Sequence, residues 1–152
     1  MPTRRITTAE LTTWRTFIDT TTDLRRVLGA QLVQDTSLSP ADYQVLLALH
    51  EAQGHRLRAS ALAATIDWER SRLSHHLNRM ERRDLIRRDD CATDNRGAEV
   101  VLTDNGADLF RRATAPHMRA IKENFVDALT PAQLDSLAGI LDSLRTHLAG
   151  RS

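Results

Sequence analysis

Cysteine is almost absent from this chain of 152 residues, where Cys91 stands alone. A single thiol excludes an internal disulfide framework and fits a reducing compartment. Long apolar runs are absent as well. No stretch approaches the roughly 20 residues needed to cross a bilayer, and the opening MPTRRITTAELTTW has no apolar segment of the kind a secretory leader carries, so a cytoplasmic protein without membrane contact is expected. Lysine is reduced to Lys122, and a bias so strong toward arginine reads as the codon preference of a GC-rich genome, which by itself proves little. Nor is one sign of charge in excess. With 21 basic against 20 acidic residues the formal net charge is +1, so only the distribution of charge can point to a polyanionic partner. G-x-S-x-G, a phosphate-binding glycine loop and a metal triad are missing too, which argues against an enzyme.

What the chain does have is helix. Its 41% hydrophobic residues suffice for a proper core. From Thr8 or Ala9 to about Gln34, apolar residues such as Leu11, Trp14, Phe17, Leu24 and Leu28 recur at spacings of three and four, the mark of a long amphipathic helix. Ser39 and Pro40 open a second helix that Gly54 can close. After HRLR, Ser60 is a plausible cap for a short helix ending at Ile66, and IDWE turns the chain into ERSRLSHHLNRMERR, a fourth helix. Two β-prone runs follow, Leu85 to Arg88 and Glu99 to Leu102, with a turn-rich segment between them that reads as a hairpin tip. Thr103 then caps a long helix to about Ala128, in which Pro116 predicts a kink or break. Thr130, Pro131 and Gln133 start a last helix whose Leu134, Leu137, Leu141, Leu144 and Leu148 keep heptad spacing. The fold class is mainly α with a small β-hairpin wing. The order of elements is that of a winged helix-turn-helix, from about 38 to 104, flanked by helices at 1–37 and 105–152 that have too little partner surface within one chain and so predict a homodimer.

The fourth helix concentrates the chemistry. At 100° per residue, Leu73, Leu77 and Met80 fall within about 40° of one another and form the core-facing stripe. Ser71, His75, Asn78 and Arg82 lie opposite, with Arg72 and Arg79 on one flank and Ser74 on the other. Long cations mixed with short hydrogen-bonding groups suit phosphates and base edges: Arg to guanine, Asn to adenine, Ser to phosphate. An ordinary solvated helix face would look similar, but a hairpin tip carrying Arg96 beside it favours double-stranded DNA.

The segment SRLSHHLNRMERRDLIRRDDCATDNRGAEVVLTDNG resembles the recognition helix, D-x-R wing and L-T-x-x-G of the MarR family of bacterial transcriptional regulators, and the flanking helices fit as well. The resemblance implies a triangular homodimer, a pseudopalindromic operator, and loss of DNA affinity on binding small aromatic or phenolic ligands. It makes Arg70, Ser71, Arg72, Ser74, His75, Asn78 and Arg79 the major-groove candidates and sends Arg96 into the minor groove. Asp94 would either orient an arginine or make an Asx turn. Two positions depart from the family pattern. Asp84 stands where glycine is usual, tolerable because Asp accepts a left-handed conformation. Glu69 replaces a small cap residue, so Asp67 is an alternative cap for this helix.

The remaining candidates are weaker. His75 and His76 diverge by about 100° and the other histidines lack ligand spacing, so neither a metal nor any other cofactor is expected. Cys91 sits beside Asp89 and Asp90, which oppose thiolate formation; redox sensing through it is one alternative reading, and a helical dimerisation module without DNA binding is another. Trp14, His50 and Trp68 are candidates for lining an aromatic effector pocket, although core packing explains such residues equally well.

Overall fold

In the computed structural model, residues 4–90 and 97–151 are described. The helices are α1 (Thr8–Thr36), α2 (Pro40–Glu51), α3 (Ala59–Ile66), α4 (Arg70–Arg82), α5 (Asp104–Ile121) and α6 (Pro131–Ala149), and the strands are β1 (Arg56–Arg58), β2 (Ile86–Asp90) and β3 (Ala98–Leu102). The chain forms two compact units, one of residues 29–117 and one of residues 1–28 with 118–152.

The first unit contains the sheet, whose strand order is β1-β3-β2, antiparallel throughout. Its third strand was not legible in the sequence. Arg56-Leu57-Arg58 alternates over three residues only, too few to mark a strand, and β1 is held because Leu57 pairs with Val100 and Arg56 reaches Glu99 at 3.2 Å. Beneath the sheet the core holds Leu46, Leu49 and Leu62, with Leu73, Leu77 and Met80 supplied by α4, as its periodicity predicts.

Helix ends follow local chemistry. Ser39 and Asp42 form a reciprocal capping box: the Ser39 hydroxyl accepts from the Asp42 N–H, and the Asp42 carboxylate accepts from the Ser39 N–H, each at 3.0 Å. Two expected caps are corrected. Ser60 lies inside α3, which opens after Arg58 without a side-chain cap, because pairing of Arg58 in β1 already sets the chain direction. Asp67 does not cap α4; it closes α3 in a left-handed conformation (φ 54°), and Glu69 occupies the α4 cap position with no capping hydrogen bond. Asp84 is left-handed (φ 56°) just beyond α4, as expected.

The L-T-x-x-G stretch acquires a physical reason. Thr103 caps α5 by accepting from the Gly106 N–H at 3.0 Å and donates its hydroxyl to the Asp84 carbonyl at 2.6 Å. A Cβ on Gly106 would stand 2.0 Å from the Leu85 carbonyl oxygen, so only glycine lets α5 start against the end of α4. No break occurs at Pro116, where α5 continues to Ile121. The carbonyl that Pro116 cannot bond belongs to exposed Arg112, so water can satisfy it. The irregularity comes later, as a π turn over Lys122–Val126.

In the second unit, α6 buries no residue, and Trp14, Ile140, Leu144 and Leu148 are between 47% and 64% exposed. The same unit contains a groove of about 600 Å³ lined by Thr16, Phe17, Thr20, Leu24, Phe125 and Leu137 among others.

Candidate nucleic-acid interface

Helix α4 owes its two faces to the spacing of three leucine and methionine residues. With Leu73, Leu77 and Met80 under 3% exposed, the opposite side is forced outward, and Arg70, Ser71, Arg72, Ser74, His75, Arg79 and Arg82 are all exposed. Between Glu69 and Glu81 the helix has no carboxylate. Among the described residues, Arg70, Arg72, Arg79 and Arg82 pair with no acid. The face therefore offers unneutralised guanidinium donors and hydroxyls, the groups that anionic oxygens and base edges accept.

Asn78 differs from its neighbours on this face. It is half-buried, and its side-chain oxygen accepts from Arg88 of β2. Arg88 also donates to Glu81 through Nε at 3.1 Å and Nη2 at 2.7 Å. Hydrogen bonds from the Arg88 side chain lower the Glu81 carboxyl below its ordinary range. This cluster ties the hairpin to the helix. Cys91, Asp94 and Arg96 lie outside the described residues.

Behind the exposed face is a polar group that periodicity alone did not single out. Asp42 and His76 are 2% and 6% exposed. One Asp42 oxygen accepts from Arg83 at 2.8 Å; the other lies 2.9 Å from His76 Nε2. The imidazole N–H points off that oxygen, so the contact is an ion–dipole attraction rather than a formed hydrogen bond. On the other side of the ring, Nδ1 lies 2.9 Å from Arg79 Nη2. Burial alone would raise the Asp42 pKa, but the Arg83 and Ser39 hydrogen bonds and the nearby positive charge outweigh it and hold the carboxyl below its usual range. Burial lowers the His76 pKa; Asp42 opposes the fall, and Arg79 and Arg83 add to it. Position 76 follows Leu73 by three, which was the available signal that it turns inward.

The three aromatic-pocket candidates have different neighbours. Trp68 packs edge-on to His76 with ring centroids 5.4 Å apart and carries the Arg72 guanidinium 3.9 Å above its ring. His50 stacks on His55 and meets Phe110. Trp14 lies in the other unit, 6.3 Å from Phe17. Among the described residues no cluster of His, Cys, Asp or Glu could hold a metal, and no helix is long and apolar enough to cross a membrane.

Comparison with solved structures decides the family. AbsC, a MarR family transcriptional regulator from Streptomyces coelicolor, is 36% identical over 97% of this chain and 99% of its own, with a TM-score of 0.81. The chain belongs to the MarR family. The MarR family profile matches residues 36–97, the span from the end of α1 to the hairpin. Sco3205, a MarR family regulator from the same organism solved in complex with DNA, is also 36% identical, covering 96% of this chain and 92% of its own (TM-score 0.86). The organohalide-sensing regulator RdhR-CbdbA1625, solved with 2,4-dichlorophenol bound, shares the fold at 20% identity, with 97% and 88% covered and a TM-score of 0.79. No curated protein matches the chain. As a MarR protein it is a transcriptional regulator and not an enzyme, and its helix-turn-helix is α3 and α4 with the β2–β3 hairpin as wing.

Proposed function

We propose that this MarR protein is a homodimeric, sequence-specific DNA-binding regulator, acting as a repressor that a small aromatic or phenolic ligand releases. The observation that carries the reading is the α4 face, where serines and arginines that pair with no acid among the described residues stand outward along a stretch with no carboxylate. Arg70, Ser71, Arg72, Ser74, His75 and Arg79 enter the major groove, and Arg96 the adjoining minor groove. Asn78 keeps its amide N–H groups for a base edge while its oxygen stays with Arg88. The DNA complex of Sco3205 supports this reading.

Uncovered apolar residues on α1 and α6 support the dimer, since a lone chain leaves Ile140, Leu141, Leu144 and Leu148 in water. For the ligand, we place a small aromatic molecule in the groove beside Phe17 and Phe125, whose volume of about 600 Å³ has room for a substituted ring compound. The test is a mobility shift on the DNA upstream of the gene across a range of salt, with and without salicylate, alongside light scattering of the free protein. Affinity should fall steeply with salt, as counterion release requires, and fall again with salicylate. Binding that ignores salt would reject the DNA reading. A folded monomer at micromolar concentration would reject the dimer, and unchanged binding with salicylate would reject that effector class.

A further inference from the structure

The buried Asp42–His76 pair reaches the protein surface at a single side chain of the reading face. Both oxygens of Asp42 are engaged: Oδ2 accepts from the Ser39 N–H and from Arg83, and Oδ1 faces His76 Nε2 at 2.9 Å. Arg83 also donates to the Ser37 carbonyl, so the carboxylate is fixed from two sides. Across the ring, Nδ1 meets Arg79 Nη2 at 2.9 Å. A guanidinium has only donors and keeps its proton, so Nδ1 must supply the lone pair. The imidazole proton then sits on Nε2, the nitrogen that faces the carboxylate. This neutral tautomer gives Arg79 its acceptor and leaves the protonated nitrogen on the side of the carboxylate, and Trp68 packs against the ring.

Arg79 itself is exposed and, among the described residues, has no acid to hold it. A long side chain in water samples many rotamers, and fixing it on the reading face before DNA arrives removes part of the entropy that binding would otherwise lose. We propose that His76, held by Asp42 as the Nε2-protonated neutral imidazole, is a positioning residue that presets Arg79 for base reading. Sequence preference opposite Arg79 is then set by a buried residue that never touches DNA. This rests on the DNA-binding reading above. Charged groups facing the imidazole are Asp42 from α2 and Arg79 and Arg83 from the α4 end; Arg72 lies beyond Trp68. Protonation of Nδ1 would remove the acceptor and release Arg79.

The test begins with selection of the wild-type dimer's preferred site from a random duplex pool. Affinities for that duplex and for a scrambled duplex of the same composition give a specificity ratio for wild type, His76→Phe, Arg79→Ala, the double variant and His76→Asn, which returns an acceptor near the Nδ1 position. Loss of one positioned base contact predicts a ratio roughly fivefold lower or more in His76→Phe and in Arg79→Ala. The double variant should be no worse than Arg79→Ala, and His76→Asn should recover part of the loss. The wild-type ratio should also decline as pH falls through the imidazole titration, and decline more than that of His76→Phe, in which His75 remains on the reading face. Losses that multiply in the double variant, or a His76→Phe ratio within about twofold of wild type, overturn the proposal. If His76→Phe does not fold, His76→Asn and the wild-type pH profile decide: a flat profile with a full loss in His76→Asn refutes it. Failure of the wild type to select any site would overturn the DNA reading together with this proposal, whereas a clear site read equally well without His76 overturns this proposal alone.

Discussion

Asp42 and His76 make the stability of the DNA-binding unit depend on pH in one direction. The Asp42 carboxyl is held below its usual range, so its contribution is complete above the unfolded value near 3.9 and is lost as pH falls through the lower folded value. His76 is depressed, chiefly by burial, so on acidification the unfolded chain takes up the proton first. Its contribution is complete above about 6.5 and declines as pH drops from there toward the folded value. His117, depressed by burial beside Tyr43, acts with the same sign. Urea unfolding followed from about pH 7.5 to about pH 5 should show a falling midpoint, and His76→Phe should flatten part of that fall while leaving the share of His117. A midpoint that climbs on acidification would contradict these assignments. The sequence showed the reading face at this scale but not what stands behind it. Leu73, Leu77 and Met80 fix which way α4 turns, yet nothing in ERSRLSHHLNRMERR names Asp42, which comes from another helix and is already explained locally as a cap partner.

Among the elements, the junction of α4, β2 and α5 is the tightest. Gly106→Ala places a methyl group into the Leu85 carbonyl, and because that atom is backbone it cannot swing aside. Overpacking of this kind should cost about 3 kcal/mol, read as a lower denaturation midpoint with an unchanged slope. Asp84→Gly should move the other way. Asp84 holds φ at 56° while its side chain is exposed, so glycine relieves the left-handed strain and should add about 0.5–1 kcal/mol. A loss at that position would mean that the carboxylate has a partner of its own. Legibility follows the same physics. Long amphipathic helices, the Ser39 cap and the Thr130 capping box are local signals and stand where the residues place them. The strand β1 and the start of α3 depend on pairing with β3, and three alternating residues are too few to reveal such a non-local pairing. Pro116 signalled a breaker that the helix tolerates, while the π turn six residues later carries no proline or glycine to announce it.

At the scale of the whole molecule, the apolar residues of α6 that face water separate folding from assembly. Leu141→Glu with Leu144→Glu removes nothing from a core, since both residues are more than 40% exposed. Sedimentation should therefore show dissociation to monomers, and operator affinity should drop with it because one lobe reads only half a site. Dimers that persist would place the interface elsewhere. Helix α1 extends the point into time. Its 29 residues bury only Leu32, and its middle is crowded with Thr12, Thr13, Thr16, Thr20, Thr21 and Thr22, β-branched residues that form helix poorly on their own. Thr12, Thr13, Thr21 and Thr22 even turn their hydroxyls back onto carbonyls of the preceding turn. Such a segment has little reason to order until another surface covers it, so the winged unit should refold first, at a rate independent of protein concentration. The far-ultraviolet signal of α1 should then arrive in a slower, second-order phase that accelerates as the protein is made more concentrated. With the proposed dimer, a newly made subunit would complete this helix only on meeting its twin, which ties the supply of competent regulator to the square of the monomer concentration.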